Sequence, residues 1–436
     1  MDKEMFFRIL NSEMELATGC TEPGAIALTG AYAGAELKKL GEKIKRMEIN
    51  ASTNIIKNAM AAGIPGTNYT GIPYAAAIGA VRAEPEQKLQ VINGVSAEVY
   101  AEAEALVEAR LVKMGHADVP QKLYIEAICW GETHKTRAVI ADLHTNLIEL
   151  EVDDKSVFVA GEGETAGAST NVPAEEIADF LTVRKIYDFI NTELDPMNDP
   201  IDIIRKAITV NSFISDRGME KDYGLAIGRG LLRNVQNGYM VRDMVLNSMI
   251  ITTAGADARM AGAPYSVVAN TGSGNQGITA TMPVVSLARW LVVDEEKMLR
   301  AVTLSNLIGI RIKSKFGRLS ALCGATVAGT GAACGITYLL GGDYDAICRT
   351  IHNMIGNVAG MLCDGAKADC SLKISTCVNA AFQAAFMSLR DVRVQKTDGI
   401  VEENVEYTLD NFALLGNKGS GPMDDAMLHM MLNKRD

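Results

Sequence analysis

The chain has 436 residues, 48% of them apolar and 22% charged, a composition that excludes disorder and a fibrous fold and allows roughly two or three domains around a large core. Its 42 basic and 53 acidic side chains leave a net charge of −11. With no basic cluster to offset that charge, nucleic acid and anionic membranes are poor partners, and a small molecule is the expected one.

The N-terminus, MDKEMFFRIL, runs straight into a charged amphipathic pattern. It has no apolar segment followed by a small-residue cleavage site, so no signal peptide is expected and the cytoplasm is the expected location. Residues 3–18 carry helical spacing up to Gly19, and a second helix is expected from Ala25 to Leu40. Arg46 to Asn50 then alternates like a strand. A strand near 89–94, a helix near 98–114 and strands at 122–130 and 136–152 follow, and the alternation argues for antiparallel pairing with one solvated face.

From about residue 175 the pattern is helical. Helices are expected at 175–193, 200–215, 223–237, 240–255, 281–292, 295–309, 323–340, 343–362 and 373–389. The most apolar run, Gly324 to Gly342, is dominated by Ala, Gly and Thr, which suits a tightly packed buried helix better than a membrane span. The expected fold class is α+β. A mainly α-helical catalytic body (1–45 and 175–436) carries an inserted α+β module with antiparallel strands (46–174).

Eight cysteines stand at 20, 129, 323, 334, 348, 363, 370 and 377. In a large cytosolic chain they are thiols, metal ligands or catalytic groups rather than disulfides. Cys129, Cys334, Cys348 and Cys377 read as small buried hydrophobes. An unbroken helix would separate Cys363 from Cys370 by roughly 10 Å along its axis, but Gly365 and the two aspartates favour a loop that brings the sulfurs closer. Thiolates are the usual ligands of iron–sulfur clusters. Spacing alone, however, leaves buried thiols the commoner reading and zinc a further one.

Cys20, in GCTEP, stands close to a predicted helix N-terminus, where amide dipoles favour the thiolate. It reads as a nucleophile or base, or equally as a small residue filling a turn. In NTGSGNQG at 270–277, Ser273, Asn275 and Gln276 offer neutral donors to a carboxylate or phosphate. The competing reading is a structural glycine-rich turn. Lys57 and Asn58, in TNIIKNAMAAG, face a ligand or cap a helix. The histidines lack paired ligand spacing, and His134 and His144 are expected at the surface. Lys313 and Lys315 suggest a pyridoxal-phosphate lysine, ranked second because no companion signature accompanies them.

Together these features resemble the L-cysteine desulfidase family, a relative of the iron–sulfur L-serine dehydratase alpha chains, over essentially the whole chain. The likeness is carried by GCTEPGAIA at 19–27, NTGSGNQGITATMPV at 270–284, GTGAACGI at 329–336 and the cysteines at 323, 363 and 370. The resemblance implies a 4Fe-4S cluster held by Cys323, Cys363 and Cys370, with Cys20 as general base. It further implies an oxygen-sensitive lyase that eliminates sulfide from L-cysteine and yields pyruvate and ammonia. By analogy Ser273, Asn275, Gln276, Lys57 and Asn58 position the amino-acid substrate. An L-serine dehydratase using the same site is the first alternative and a non-catalytic iron–sulfur redox sensor the second. A homodimer is expected.

Overall fold

Met5, Phe6, Ile9 and Leu10 share one face and bury it, forming α1 (Lys3–Glu13). The expected helix ends there. Met14 to Thr18 form β1, because they pair antiparallel with β8 (Ser266–Asn270), Met14 opposite Asn270 and Thr18 opposite Ser266. The structure, a computed structural model, describes residues 3–19, 21–67, 69–160, 172–316 and 320–433.

The next elements are α2 (Thr21–Lys39), β2 (Arg46–Ala51), α3 (Thr53–Ala59), α4 (Ile72–Arg82) and α5 (Ala97–Glu108). Five strands follow: β3 (Val112–His116), β4 (Tyr124–Trp130), β5 (Lys135–Ala141), β6 (Leu147–Val152) and β7 (Lys155–Val159). With β2 they form a six-stranded sheet in the order β3-β2-β4-β5-β6-β7, parallel only between β2 and β3. Its apolar face packs on α2 and α4 as one core that includes Ile26, Leu37, Ile49, Ile78, Ile125 and Ile140. A Cβ at Gly79 would fall on the Ala27 carbonyl, so glycine is what lets α4 and α2 cross with backbones touching. Residues of α2 from Ala25 to Leu37 therefore lie in the core beneath the sheet.

Two strand expectations change. Residues 85–90 form a 3₁₀ turn in place of a strand near 89–94, and Arg82 Nη1 binds the Val91 and Asn93 carbonyls at 2.9 and 2.7 Å. The expected strand 136–152 is the hairpin of β5 and β6. Asp153 and Asp154, both at positive φ, then turn the chain into β7. An Asp-Asp pair lacks the glycine that normally announces such a turn.

The rest is helical: α6 (Ala174–Phe180), α7 (Val183–Asp188), α8 (Asp202–Gly218), α9 (Ile227–Gln236), α10 (Met244–Met260), α11 (Gly274–Trp290), α12 (Glu295–Ser314), α13 (Gly324–Leu339), α14 (Tyr344–Val358), α15 (Cys370–Ser388), α16 (Val405–Lys418) and α17 (Ser420–Leu432). They build a second core around α11, α12 and α13, with α1 and β8 at its edge. The last helix returns to the other half: Leu428 of α17 lies in the core of the sheet. Among the described residues no helix is long and apolar enough to cross a membrane.

Candidate active site

Two short segments hold the first pair of thiols. Leu322 and Leu362 form an antiparallel bridge, with Cys323 N donating to Met361 O at 2.8 Å and Cys363 N to Ala321 O at 2.7 Å. Cys323 is the N-cap of α13 and Cys370 the first residue of α15, so each stands at the positive end of a helix dipole. Residues 364–369 form the expected loop, which brings Cys370 back to donate its Sγ–H to Gly365 O at 3.4 Å. Gly365 has φ +102°, and a Cβ there would fall on the Lys57 carbonyl. Only glycine lets the loop lie this close to α3.

The three thiols line one cavity of about 120 Å³, below the roughly 300–1,000 Å³ of drug-sized sites and suited to a small metabolite. Burial, reinforced by the neighbouring Cys363, pushes the Cys323 thiol well above its ordinary range. Burial likewise pushes Cys370 up to about 12. Without a cation these groups keep their protons; a soft metal that displaces them reverses the preference. A fourth thiol, Cys377, is buried two turns along α15 from Cys370 and packs beside Met361 (Sγ to Sδ 3.7 Å), outside the cavity lining.

Among the described residues no three His, Cys, Asp or Glu groups converge closely enough for a single metal ion. A polynuclear cluster makes a different demand, since each thiolate binds its own iron and the sulfurs surround a volume. Three thiols lining one small cavity fit an iron–sulfur group in chemistry.

The opposite wall is the turn from β8 into α11. Thr271 and Gly272 have φ of +49° and +78°, and the Ser273 hydroxyl caps α11 by accepting from Gln276 N at 3.4 Å. Thr21 Oγ1 donates to Gly272 O at 3.1 Å. Arg259, buried on α10, donates to Asn275 Oδ1 at 3.0 Å and to Gly19 O at 2.9 Å, tying the GCTEP segment to the glycine-rich turn. Gln276 packs against Gly324, next to Cys323. From α3, Asn58 Nδ2 donates to Glu22 Oε1 at 3.0 Å. Asn58 Oδ1, Thr271 Oγ1, Gln276 Oε1 and Arg259 Nε, all on cavity-lining residues, are buried without a hydrogen-bond partner among the described residues. Each such atom costs about 1–3 kcal/mol if left unmet, so the cavity wall is set for a polar guest.

Of the expected substrate-binding residues, Ser273, Asn275, Gln276 and Asn58 line the cavity. Lys57 does not: its ammonium is buried in an ion pair with Asp424 of α17. Cys20 lies outside the described residues. His144, expected at the surface, is buried in the turn between β5 and β6 and lines the cavity, whereas His134 pairs with Asp153 at 2.7 Å in a half-exposed position. The α12 lysines also divide. Lys315 pairs with Asp410 on the surface, while Lys313 is buried in the cavity wall. Burial pulls the Lys313 ammonium down to about 8, against the opposing pull of Cys363 and Cys323. Glu22 stands inside GCTEP but was not singled out there, and Arg259 carried no motif; charged residues inside the apolar ITTAGADARM helix were the available signal.

A small, partly open cavity between two cores, walled by thiols and unmet polar groups, is a small-molecule site. The family model described as serine dehydratase alpha chain matches residues 86–429, and the chain belongs to that family. Among its relatives, a protein of Oleidesulfovibrio alaskensis is 38% identical across 99% of this chain and 98% of its own length. One of Chromobacterium violaceum is 39% identical across 99% and 97%, and one of Porphyromonas gingivalis 38% identical across 99% of both. All three bear only the name UPF0597 protein.

Proposed function

We propose that the protein is an iron–sulfur lyase that converts L-cysteine and water to hydrogen sulfide, ammonia and pyruvate in the cytoplasm. The observation that carries this reading is the convergence of Cys323, Cys363 and Cys370 on one cavity whose other wall bears polar atoms without partners. Cys323, Cys363 and Cys370 would hold a four-iron cluster, which would supply a Lewis acid for the leaving group.

The chain's own residues supply the rest. Amides at the N-terminus of α11, with Ser273, Asn275 and Gln276, receive the substrate carboxylate. Asn58 and the Thr271 hydroxyl fix the amino group. Cys20 takes the α-proton as general base, and Arg259 holds the carbonyl of the preceding residue, Gly19. Enclosure between the two cores limits water until elimination has occurred.

The family name favours a second reading, an L-serine dehydratase in which water leaves instead of sulfide. Anaerobic assays on iron-reconstituted protein separate the two. The desulfidase reading expects a kcat/KM for L-cysteine at least about tenfold above that for L-serine, a difference of about 1.4 kcal/mol in transition-state binding. The reverse order makes the protein a serine dehydratase.

A further inference from the structure

Several basic side chains near the thiol site are matched to carboxylates, and Arg259 is held instead by Asn275 Oδ1 and the Gly19 carbonyl. Arg311 pairs with Glu406 at 2.6 Å, Lys57 with Asp424, Lys315 with Asp410, and Lys373 with Asp364. Lys313, two residues beyond Arg311 on α12, has no ion pair among the described residues. Its ammonium lies 6.0 Å from the Phe316 ring centroid and faces the cavity that Cys323 and Cys363 line. The carboxylate in that lining is Glu22, which already accepts from Asn58. Burying an ammonium without a counter-ion is unfavourable. Its natural counter-ion is whatever negative charge the cavity acquires, and Cys363 and Cys323, whose charge acts on it, line the same cavity.

We propose that Lys313 is the built-in counter-charge of the thiolate trio. Its ammonium offsets the negative charge that Cys323, Cys363 and Cys370 carry when they hold metal, stabilises the bound cluster and raises its reduction potential. The inference rests on the iron–sulfur reading and deepens it, assigning a positioning role to a residue that the elimination chemistry does not otherwise use. Net charge near a cluster is one of the determinants of its potential, so removing a cation moves the potential down.

The test compares wild type, Lys313→Met and Lys313→Arg after anaerobic reconstitution. Met fills the same buried volume without charge, and Arg keeps the charge. Lys313→Met is expected to show a more negative midpoint potential in an optical redox titration. It is also expected to lose iron to a chelator on the order of tenfold faster, because the thiolate charge is left uncompensated. Lys313→Arg is expected to restore both properties. Wild-type potential and iron retention in Lys313→Met overturn the inference while leaving the lyase reading intact. A raised KM with unchanged potential and retention also overturns it, making Lys313 a substrate-carboxylate anchor. A wild-type protein that takes up no iron overturns the lyase reading and this inference together.

Discussion

The duties proposed for Cys363 and Cys20 are separable, and substitution distinguishes them. Cys363→Ala is expected to abolish retention of iron, because two thiols on opposite segments no longer close the ligand set. Cys20→Ser is expected to keep iron at the wild-type level while losing about 10²–10⁴-fold in kcat, the usual contribution of a general base. Iron analysis beside steady-state kinetics checks both; full turnover in Cys20→Ser removes that thiol from the chemistry. A third residue acts far from the cavity. His352 is buried on α14 with Nδ1 3.1 Å from Thr408 Oγ1, and burial, with Arg393 nearby, lowers its pKa to about 4. The unfolded chain binds a proton near pH 6.5, so the stability this neutral ring contributes is present above that pH and is lost as pH falls toward 4. Acid unfolding curves of His352→Gln are expected to be flatter across that window by about 2 kcal/mol, allowing for partial solvent screening. Identical curves would contradict the assignment.

At the level of elements, three contacts hold the thiol loop in place. The 321–323 and 361–363 bridge fixes its start, Gly365 lies against α3, and Ala366 N donates to Asn58 O at 3.3 Å. Behind α3 the Lys57–Asp424 pair anchors α17. Lys57→Met alone strands a buried carboxylate and is expected to cost about 3–5 kcal/mol, while Lys57→Met with Asp424→Leu recovers most of it. Thermal unfolding of the two variants reads this directly, and equal losses in both would show that the pair has no coupling. The long helices were legible because their apolar residues recur at helical spacing: α8, α10 and α12 to α15 stand within a few residues of expectation. β1 was not legible, since Met14 and Leu16 fit a helix as well as a strand and only the partner β8, some 250 residues away, decides. A long-range pairing leaves no local signal.

The whole molecule is two cores meeting at one cavity. Thr21, Glu22, Asn58 and His144 approach from the sheet side, and the glycine-rich turn, Lys313 and the three cysteines from the helical side. The motifs GCTEP and NTGSGNQG, distant in sequence, meet through Thr21 and Gly272 and through Arg259. Spacing marked the cysteines as candidates, and the motifs beside them made the set specific. What sequence reasoning could not reach was the pairing of charges: Lys57 and Lys313 look alike in sequence, yet one pairs with a buried carboxylate and the other lines the cavity that the thiols line. The central claim is that this cavity is an iron–sulfur site acting on L-cysteine. Anaerobic reconstitution, with iron and acid-labile sulfide measured beside sulfide release from L-cysteine, tests it most directly. The account predicts a brown protein whose sulfide release from cysteine rises with cluster content. A colourless protein without iron or labile sulfide, or turnover independent of cluster content, would contradict it.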